Sequence, residues 1–156
     1  MVTHICLLLH NIRSTHNVGA IFRTADATAV TKIYLSGYTP APIDRFGRER
    51  SDISKASLGA EKNIDWEYVS DHINLIKDLK KRDFKIYSIE QDKKSIDFRK
   101  AKKQKNILLI AGNEVDGIEK GILDLSDKII EIPMLGKKES LNVSVATGII
   151  LYSLIN

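Results

Sequence analysis

Apolar and polar positions alternate along this chain in short blocks. Val2 to His10 is a compact apolar run that closes at Asn11, which predicts a buried strand. A polar loop follows to His16. Asn17 is a residue type that caps helices. After it, Val18, Ile21, Phe22 and Ala25 recur three and four apart and predict a helix. Ile33 to Leu35 predicts a second strand. Ser36 to Asp52 reads as one long loop containing Gly37, Pro40, Pro42 and Gly47; loops of that length in a small domain commonly serve function. A short helix over Ile53 to Leu58 would end at Gly59. Asp65 to Val69 predicts a strand. Asp71 to Arg82 predicts an amphipathic helix with Ile73, Leu75, Ile76 and Leu79 inward, and Lys80, Lys81 and Arg82 complement its dipole.

The second half continues the alternation. Lys85 to Glu90 and Asn106 to Ala111 predict strands on either side of a basic loop. Gly117 to Leu125 predicts a helix and Lys128 to Ile132 a strand. Leu141 to Ile155 predicts a closing helix, with Ser140 as its N-cap candidate. The expected architecture is α/β, a mostly parallel sheet flanked by helices, and 156 residues make one domain. The closing helix is apolar on too many sides for a monomer's surface, with Val143, Val145, Ala146, Ile149, Ile150, Leu151 and Leu154. That breadth predicts a homodimer.

Composition narrows the class. Hydrophobic residues make up 43% and charged residues 28%, as in ordinary globular proteins. The longest apolar runs, Ile5 to Leu9 and Ile107 to Ala111, fall far short of the ~20 residues that span a bilayer. No basic, cleavable leader is visible, so no membrane and a cytoplasmic location are expected. The single cysteine, Cys6, excludes an intramolecular disulfide and reads as a buried structural thiol. His4, His10, His16 and His72 lack helical metal-ligand spacing, and no metal is expected.

The net charge is +4 and unevenly spread. Five cations stand among the seven residues from Arg99 to Lys105, including Lys102, Lys103 and Lys105. Arg45, Arg48 and Arg50 surround Phe46. Two basic loops, one with an aromatic inside it, suit a phosphate backbone. The glycine fingerprint of dinucleotide sites and the P-loop are both missing.

Three blocks carry the candidate chemistry. The strand 106–111 runs into Gly112-Asn113-Glu114-Val115-Asp116-Gly117. The next strand runs into Ile132-Pro133-Met134. A helix opens at Ser140-Leu141-Asn142-Val143-Ser144-Val145-Ala146. Ligands of open α/β sheets bind at the carboxyl ends of strands. These loops offer main-chain polar groups beside apolar side chains, which suits a flat heterocycle such as adenine.

With Asn17, Gly19 and Arg23 at the start, these blocks resemble the SpoU/TrmH branch of the SPOUT methyltransferase superfamily. Gly112, Asn113, Glu114, Gly117 and Ile118 match its second motif, and Ile132 to Met134 with Ser140 to Ala146 match its third. Ser57-Leu58-Gly59-Ala60 resembles a stretch in the family's middle. The resemblance implies a C-terminal trefoil knot, an obligate homodimer, S-adenosylmethionine as cofactor, and 2′-O-methylation of ribose in tRNA or rRNA. It implies cofactor contacts at Ser88, Ile89, Ala111, Gly112, Asn113, Ile132, Met134, Ser140 and Leu141, and catalytic positions at Arg23, Asn17, Glu114, Ser140 and Asn142. Family members often carry a separate N-terminal RNA-binding domain. This chain reads as a single methyltransferase domain without one, so Arg23, Arg45, Arg48, Arg50, Lys102, Lys103 and Lys105 are expected to meet RNA.

Arg23 is the family's catalytic arginine by position. Free guanidinium has a pKa above ~12, so a contact to phosphate and to a developing alkoxide is easier to defend than proton removal. Asn17 would orient Arg23 or the ribose, or cap its helix. Glu114 would orient Arg23 across a dimer or cap the 117–125 helix. Two other readings compete: a catalytically silent RNA-binding dimer, opposed by the complete polar set, and methylation of a base nitrogen, opposed by the Ser-Leu-Asn motif.

Overall fold

The apolar runs become the middle of one sheet. A computed structural model describes residues 2–155. Its strands are β1 (His4–His10), β2 (Lys32–Ser36), β3 (Asp65–Tyr68), β4 (Lys85–Ile89), β5 (Ile96–Asp97), β6 (Asn106–Ala111) and β7 (Lys128–Glu131). They lie in the order β3-β2-β1-β6-β4-β7-β5. Each adjacent pair is parallel.

Neighbouring strand residues point to opposite faces, so the continuous runs feed two cores. Ile5, Leu7, Leu9, Ile107 and Leu109 pack on one face with Val18, Ile21 and Phe22 of α1 (Thr15–Ala27), Ile53 of α2 (Ser51–Ser57), and Ile150, Leu151 and Leu154 of α5 (Val143–Ile155). Leu8, Leu108 and Ile110 pack on the other with Ile76 and Leu79 of α3 (His72–Lys81) and Ile122 of α4 (Lys120–Leu125). Phe22 is fully buried; truncating such a ring to alanine costs about 3–5 kcal/mol. Gly19 serves the same core. A Cβ there would lie 2.6 Å from Ala56 Cβ and 2.7 Å from Ile53 O, so glycine is what lets α2 close on α1. Cys6 is buried on the second face, and burial pushes its thiol up to about 11, which keeps it unreactive.

Several boundaries differ from the sequence pattern. α1 starts at Thr15, not after Asn17: Ser14 is the N-cap and its Oγ accepts from Asn17 N at 3.1 Å. α2 starts at Ser51, and it ends before Gly59 because Leu58 itself adopts a left-handed conformation at φ 53°. Ser57 and Ala60 of the family-like stretch are buried, and Ser57 Oγ meets the Glu61 carboxylate beside them. The basic loop contains β5 and a 3-10 turn, Phe98–Lys100. α4 starts at Lys120 because Gly117, at φ 71°, closes a turn on Asn113 instead of opening a helix. α5 starts at Val143. Ser140 is exposed upstream of it, and Asn142 Oδ1 takes the capping role, accepting from Ser144 N at 2.8 Å.

Candidate active site

The loops after β4, β6 and β7 end on the same side of the sheet and enclose a cavity of about 280 Å³. Ile89, Gly112, Asn113, Ile132, Met134, Ser140 and Leu141, each expected at the cofactor, all line it. Ser88 and Ala111 do not. Both belong to strands and are essentially buried, and Ser88 Oγ is 2.7 Å from Ser126 Oγ. The cavity opens at Ile89 and Gly112, one residue beyond Ser88 and Ala111. Asn113 contributes shape more than a free amide. Its Nδ2 donates to Asn11 O at 3.0 Å and to Tyr38 Oη at 2.8 Å, and its Oδ1 accepts from Val115 N and Asp116 N.

Other residues reach the cavity without having been anticipated. Glu90 and Gln91 follow β4, Glu131 ends β7, and Glu139 precedes Ser140. Glu90 Oε2 accepts from Ile118 N at 2.8 Å, latching the 112–118 loop to β4. Gln91 Nε2 donates to Glu139 O at 2.7 Å, latching the 132–142 loop. The rule that ligands gather at strand ends pointed to the residues after β4, as it did to those after β6. Close packing shapes the floor: a Cβ on Gly112 would lie 2.6 Å from Ile118 Cγ1 and 2.9 Å from Gly117 O.

Residues that would hold S-adenosylmethionine are therefore of two kinds. Ile89, Ile132, Met134, Leu141 and Ala146 give apolar walls, while the acidic residues Glu90, Glu131 and Glu139 also line the cavity and suit a ligand that carries positive charge. The donor set fits a group that joins a flat heterocycle to positive centres.

At one edge of the cavity the three motif blocks meet in a hydrogen-bonded chain. Asn17 Nδ2 donates to Glu114 Oε1 at 3.1 Å, and Asn142 Nδ2 donates to Asn17 Oδ1 at 3.1 Å. Glu114 also accepts from Arg13 N at 3.1 Å and Ser14 N at 3.2 Å. It therefore sits at the amino end of α1, where a carboxylate complements the helix dipole, and not on α4. Burial acts to raise its pKa, but the donors from Arg13, Asn17 and Ser14 prevail and hold the carboxyl below its ordinary value. Asn17 is itself buried, so its amide is fixed by this chain.

Arg23 stands apart from that chain. It is exposed on α1, and among the described residues no ion pair or side-chain hydrogen bond engages it. Near it, Ala20 and Thr24 of α1 and Val145, Gly148, Ile149 and Tyr152 of α5 form a shallow, largely apolar surface hollow. Val145, Ile149 and Tyr152 are between 38% and 49% exposed.

The two basic loops are built differently. Asp44 accepts from Phe46 N and Arg48 N and pairs with Arg48 Nε at 3.1 Å, so the 44–48 turn is fixed. Arg45 and Arg48 lie 4.8 and 4.9 Å from the centroid of the exposed Phe46 ring. Arg50 pairs with Asp52 at 3.7 Å. In the other loop Asp97 neutralises Arg99, whereas Lys102, Lys103 and Lys105 are exposed and, among the described residues, make no salt bridge. Among the described residues no helix is long and apolar enough to cross a membrane.

Residues 4–152 match the model of the SpoU rRNA methylase family. The chain is 37% identical over 142 residues to the tRNA (guanosine(18)-2′-O)-methyltransferase of Aquifex aeolicus, covering 91% of this chain and 64% of that one. It is 33% identical over 150 residues to a 23S rRNA (guanosine-2′-O-)-methyltransferase of Xanthomonas axonopodis pv. citri, covering 94% and 56%. The chain thus spans less than two thirds of these relatives' length. The crystal structure of the AdoMet-bound rRNA methyltransferase from Sinorhizobium meliloti superposes with a TM-score of 0.88 at 26% identity, over 99% of this chain and 56% of that one.

Proposed function

This chain belongs to the SpoU rRNA methylase family, and on that premise we propose that it transfers a methyl group from S-adenosylmethionine to a ribose 2′-hydroxyl of tRNA or rRNA. The observation that carries the reading is the Glu114–Asn17–Asn142 chain of hydrogen bonds, which ties α1 to both cavity loops. A cofactor bound in the cavity supplies an electrophilic methyl on a sulfonium, so the leaving group is neutral and the reaction needs alignment more than activation.

The protein's part follows from its residues. Apolar walls at Ile89, Ile132 and Leu141 exclude water from the bound heterocycle, and the main chain of loops 112–117 and 132–142 fixes its orientation. Ser140 and Asn142 organise the loop at the cavity edge. Arg23, permanently charged, holds the phosphate of the target nucleotide and stabilises the alkoxide that develops as the hydroxyl gives up its proton to solvent water. The Asn17 amide ties α1, on which Arg23 rides, to both cavity loops.

The working unit of this proposal is a homodimer in the cytoplasm, with the C-terminal segment knotted and RNA contacts drawn from this domain's own loops. The α1–α5 apolar hollow is the surface a second copy would cover, and Arg23 lies beside it. Sedimentation at micromolar concentration is expected to give a dimer, and Ile149→Lys to give the monomer.

The direct test incubates the purified protein with S-adenosylmethionine and transcripts of tRNA and of rRNA. The expected product resists alkaline cleavage at one linkage, the mark of a 2′-O-methyl group. A methyl recovered on a base nitrogen would overturn the reading, as would tight RNA binding with no transfer to any transcript.

A further inference from the structure

Outside the cavity, one set of side chains is arranged as a ligand set. His10 ends β1, His72 opens α3, and Glu119 precedes α4. One ligand-type atom of each lies within 4.8 Å of the others. His10 is buried, and its Nδ1 is 2.7 Å from Ser36 Oγ. Its Nε2 faces Glu119 Oε1 at 3.7 Å, too far for a hydrogen bond. Metal-bound histidines are held in this manner, with the second nitrogen tied to a fixed polar group. His72 Nε2 meets the same Glu119 oxygen. The two imidazoles stack with centroids 4.0 Å apart and planes at 28°.

We propose that His10, His72 and Glu119 bind one divalent transition-metal ion of the zinc class. Two imidazoles and one carboxylate are a donor set that zinc and its neighbours accept, whereas magnesium prefers oxygen alone. With its Nδ1 tied to Ser36 Oγ, His10 is left with Nε2 as the nitrogen that faces the site. The side chains of His72 and Glu119 are 20% and 46% exposed, so an ion has a path in and room for a water ligand. Seating it requires the His72 ring to swing out of the stack until the lone pairs converge. His72 is the more exposed of the two histidines and stands in the first turn of α3.

The site reaches the cavity from behind. Glu119 follows the Gly117-Ile118 pair that Glu90 latches. His10 precedes Asn11, whose carbonyl holds the Asn113 amide. A bound ion would staple α3, α4 and β1 together beneath the loop that forms the cavity floor. The three residues come from separate segments, which is why histidine spacing gave no hint of a metal.

The test uses the whole protein, stripped with a chelator, and cobalt(II) chloride or zinc chloride alone, without methyl donor or RNA. Visible cobalt absorption and calorimetry are expected to show one ion per chain with micromolar affinity or tighter. Substituting each of two ligands, His72→Ala and Glu119→Gln, is expected to weaken binding by at least about tenfold. Both side chains are partly exposed, so the variants are expected to keep the wild-type circular dichroism and melting temperature in chelator. No binding below millimolar, or unchanged affinity in both variants, overturns the proposal. So does a variant that binds weakly only because it no longer melts cooperatively while the other variant binds as wild type does.

Discussion

The loops that follow β6 and β7 present main chain and apolar side chains to the cavity, and they are latched at Glu90 and Gln91. The 44–50 loop and the outer side of α1 present cations on long stems to solvent. One side is a pre-formed cavity; on the other the 44–48 turn is fixed and only the exposed cationic stems adapt. A small ligand of fixed shape rewards a cavity whose donors need no reorganisation. A polyanion of variable shape rewards charges that can follow it. Between them stands the buried Asn17 amide, bonded to Glu114 on one side and to Asn142 on the other. Changes on the two sides should therefore separate cleanly in their effects, and changes at the junction should not.

The largest separation is expected at Arg23. Arg23→Ala should lower methyl transfer by about 10²–10³-fold, the scale of losing one charge-stabilising donor in a transition state. Cofactor affinity by calorimetry should stay within about twofold, because Arg23 does not line the cavity. A matching loss of cofactor binding would erase the distinction between the two sides.

Gly112→Ala tests the pre-formed side. Its Cβ would meet Ile118 Cγ1 at 2.6 Å and Gly117 O at 2.9 Å. The second contact is backbone, so the 112–117 turn has to move. A destabilisation of about 1–3 kcal/mol is expected, as for other overpacked sites. Calorimetry should show cofactor affinity falling with it, and RNA affinity measured without cofactor should hold. A variant with normal cofactor binding would mean that the turn adapts and that the cavity is less rigid than its latches imply.

How much of this was legible in the sequence depended on whether the signal was local. Strand runs such as Leu7-Leu8-Leu9 read directly, because burial on both faces leaves no polar interruption. The helix registers at Val18, Ile21 and Phe22 read equally well. Caps were less legible. Ser14 and Asn17 are both capping residue types three positions apart, and only the side-chain bond from Ser14 decides between them. Gly117 looked like the start of a helix, but its positive φ closes a turn there first. The two-residue strand β5 is too short for any period to show. The junction joins residues about a hundred positions apart, so only the family-like motifs pointed to it.

The adaptable side is tested by salt. If Arg45, Arg48 and Arg50 each neutralise one phosphate, removing all three should lower the slope of log K against log salt by roughly 2 to 3, at ~0.7–0.9 per contact. Arg48 and Arg50 already pair with Asp44 and Asp52, so part of their charge is spent within the loop. Lys102, Lys103 and Lys105 carry no such pairing among the described residues, and their triple variant is expected to change the slope by a similar amount. Unchanged slopes in both variants would place the RNA on the α1 side, near Asn17 and Arg23.

The smallest effect belongs to the junction, and pH is the sharper probe of it. Glu114→Gln keeps the size of the side chain but replaces one acceptor oxygen with an NH₂ group. That group would face either the Arg13 N–H, on one oxygen, or the Ser14 N–H and Asn17 amide, on the other. At neutral pH a loss of about 1 kcal/mol in unfolding free energy is expected, the scale of one capping or charge-assisted hydrogen bond. The folded carboxyl titrates below its ordinary value of 4.5, because the donor bonds outweigh burial. A depressed folded pKa means that the unfolded state binds the proton more readily. The stabilisation is then fully present above 4.5 and disappears as pH falls through the lower, folded value. Wild type should therefore exceed Glu114→Gln in stability at pH 7, and the two denaturation curves should converge as the pH drops below that range. Curves that stay parallel through the acid range would mean that the carboxylate charge contributes nothing at the amino end of α1. The junction would then be an arrangement of amides alone, and the two sides of the site would be joined more loosely than the hydrogen-bond chain implies.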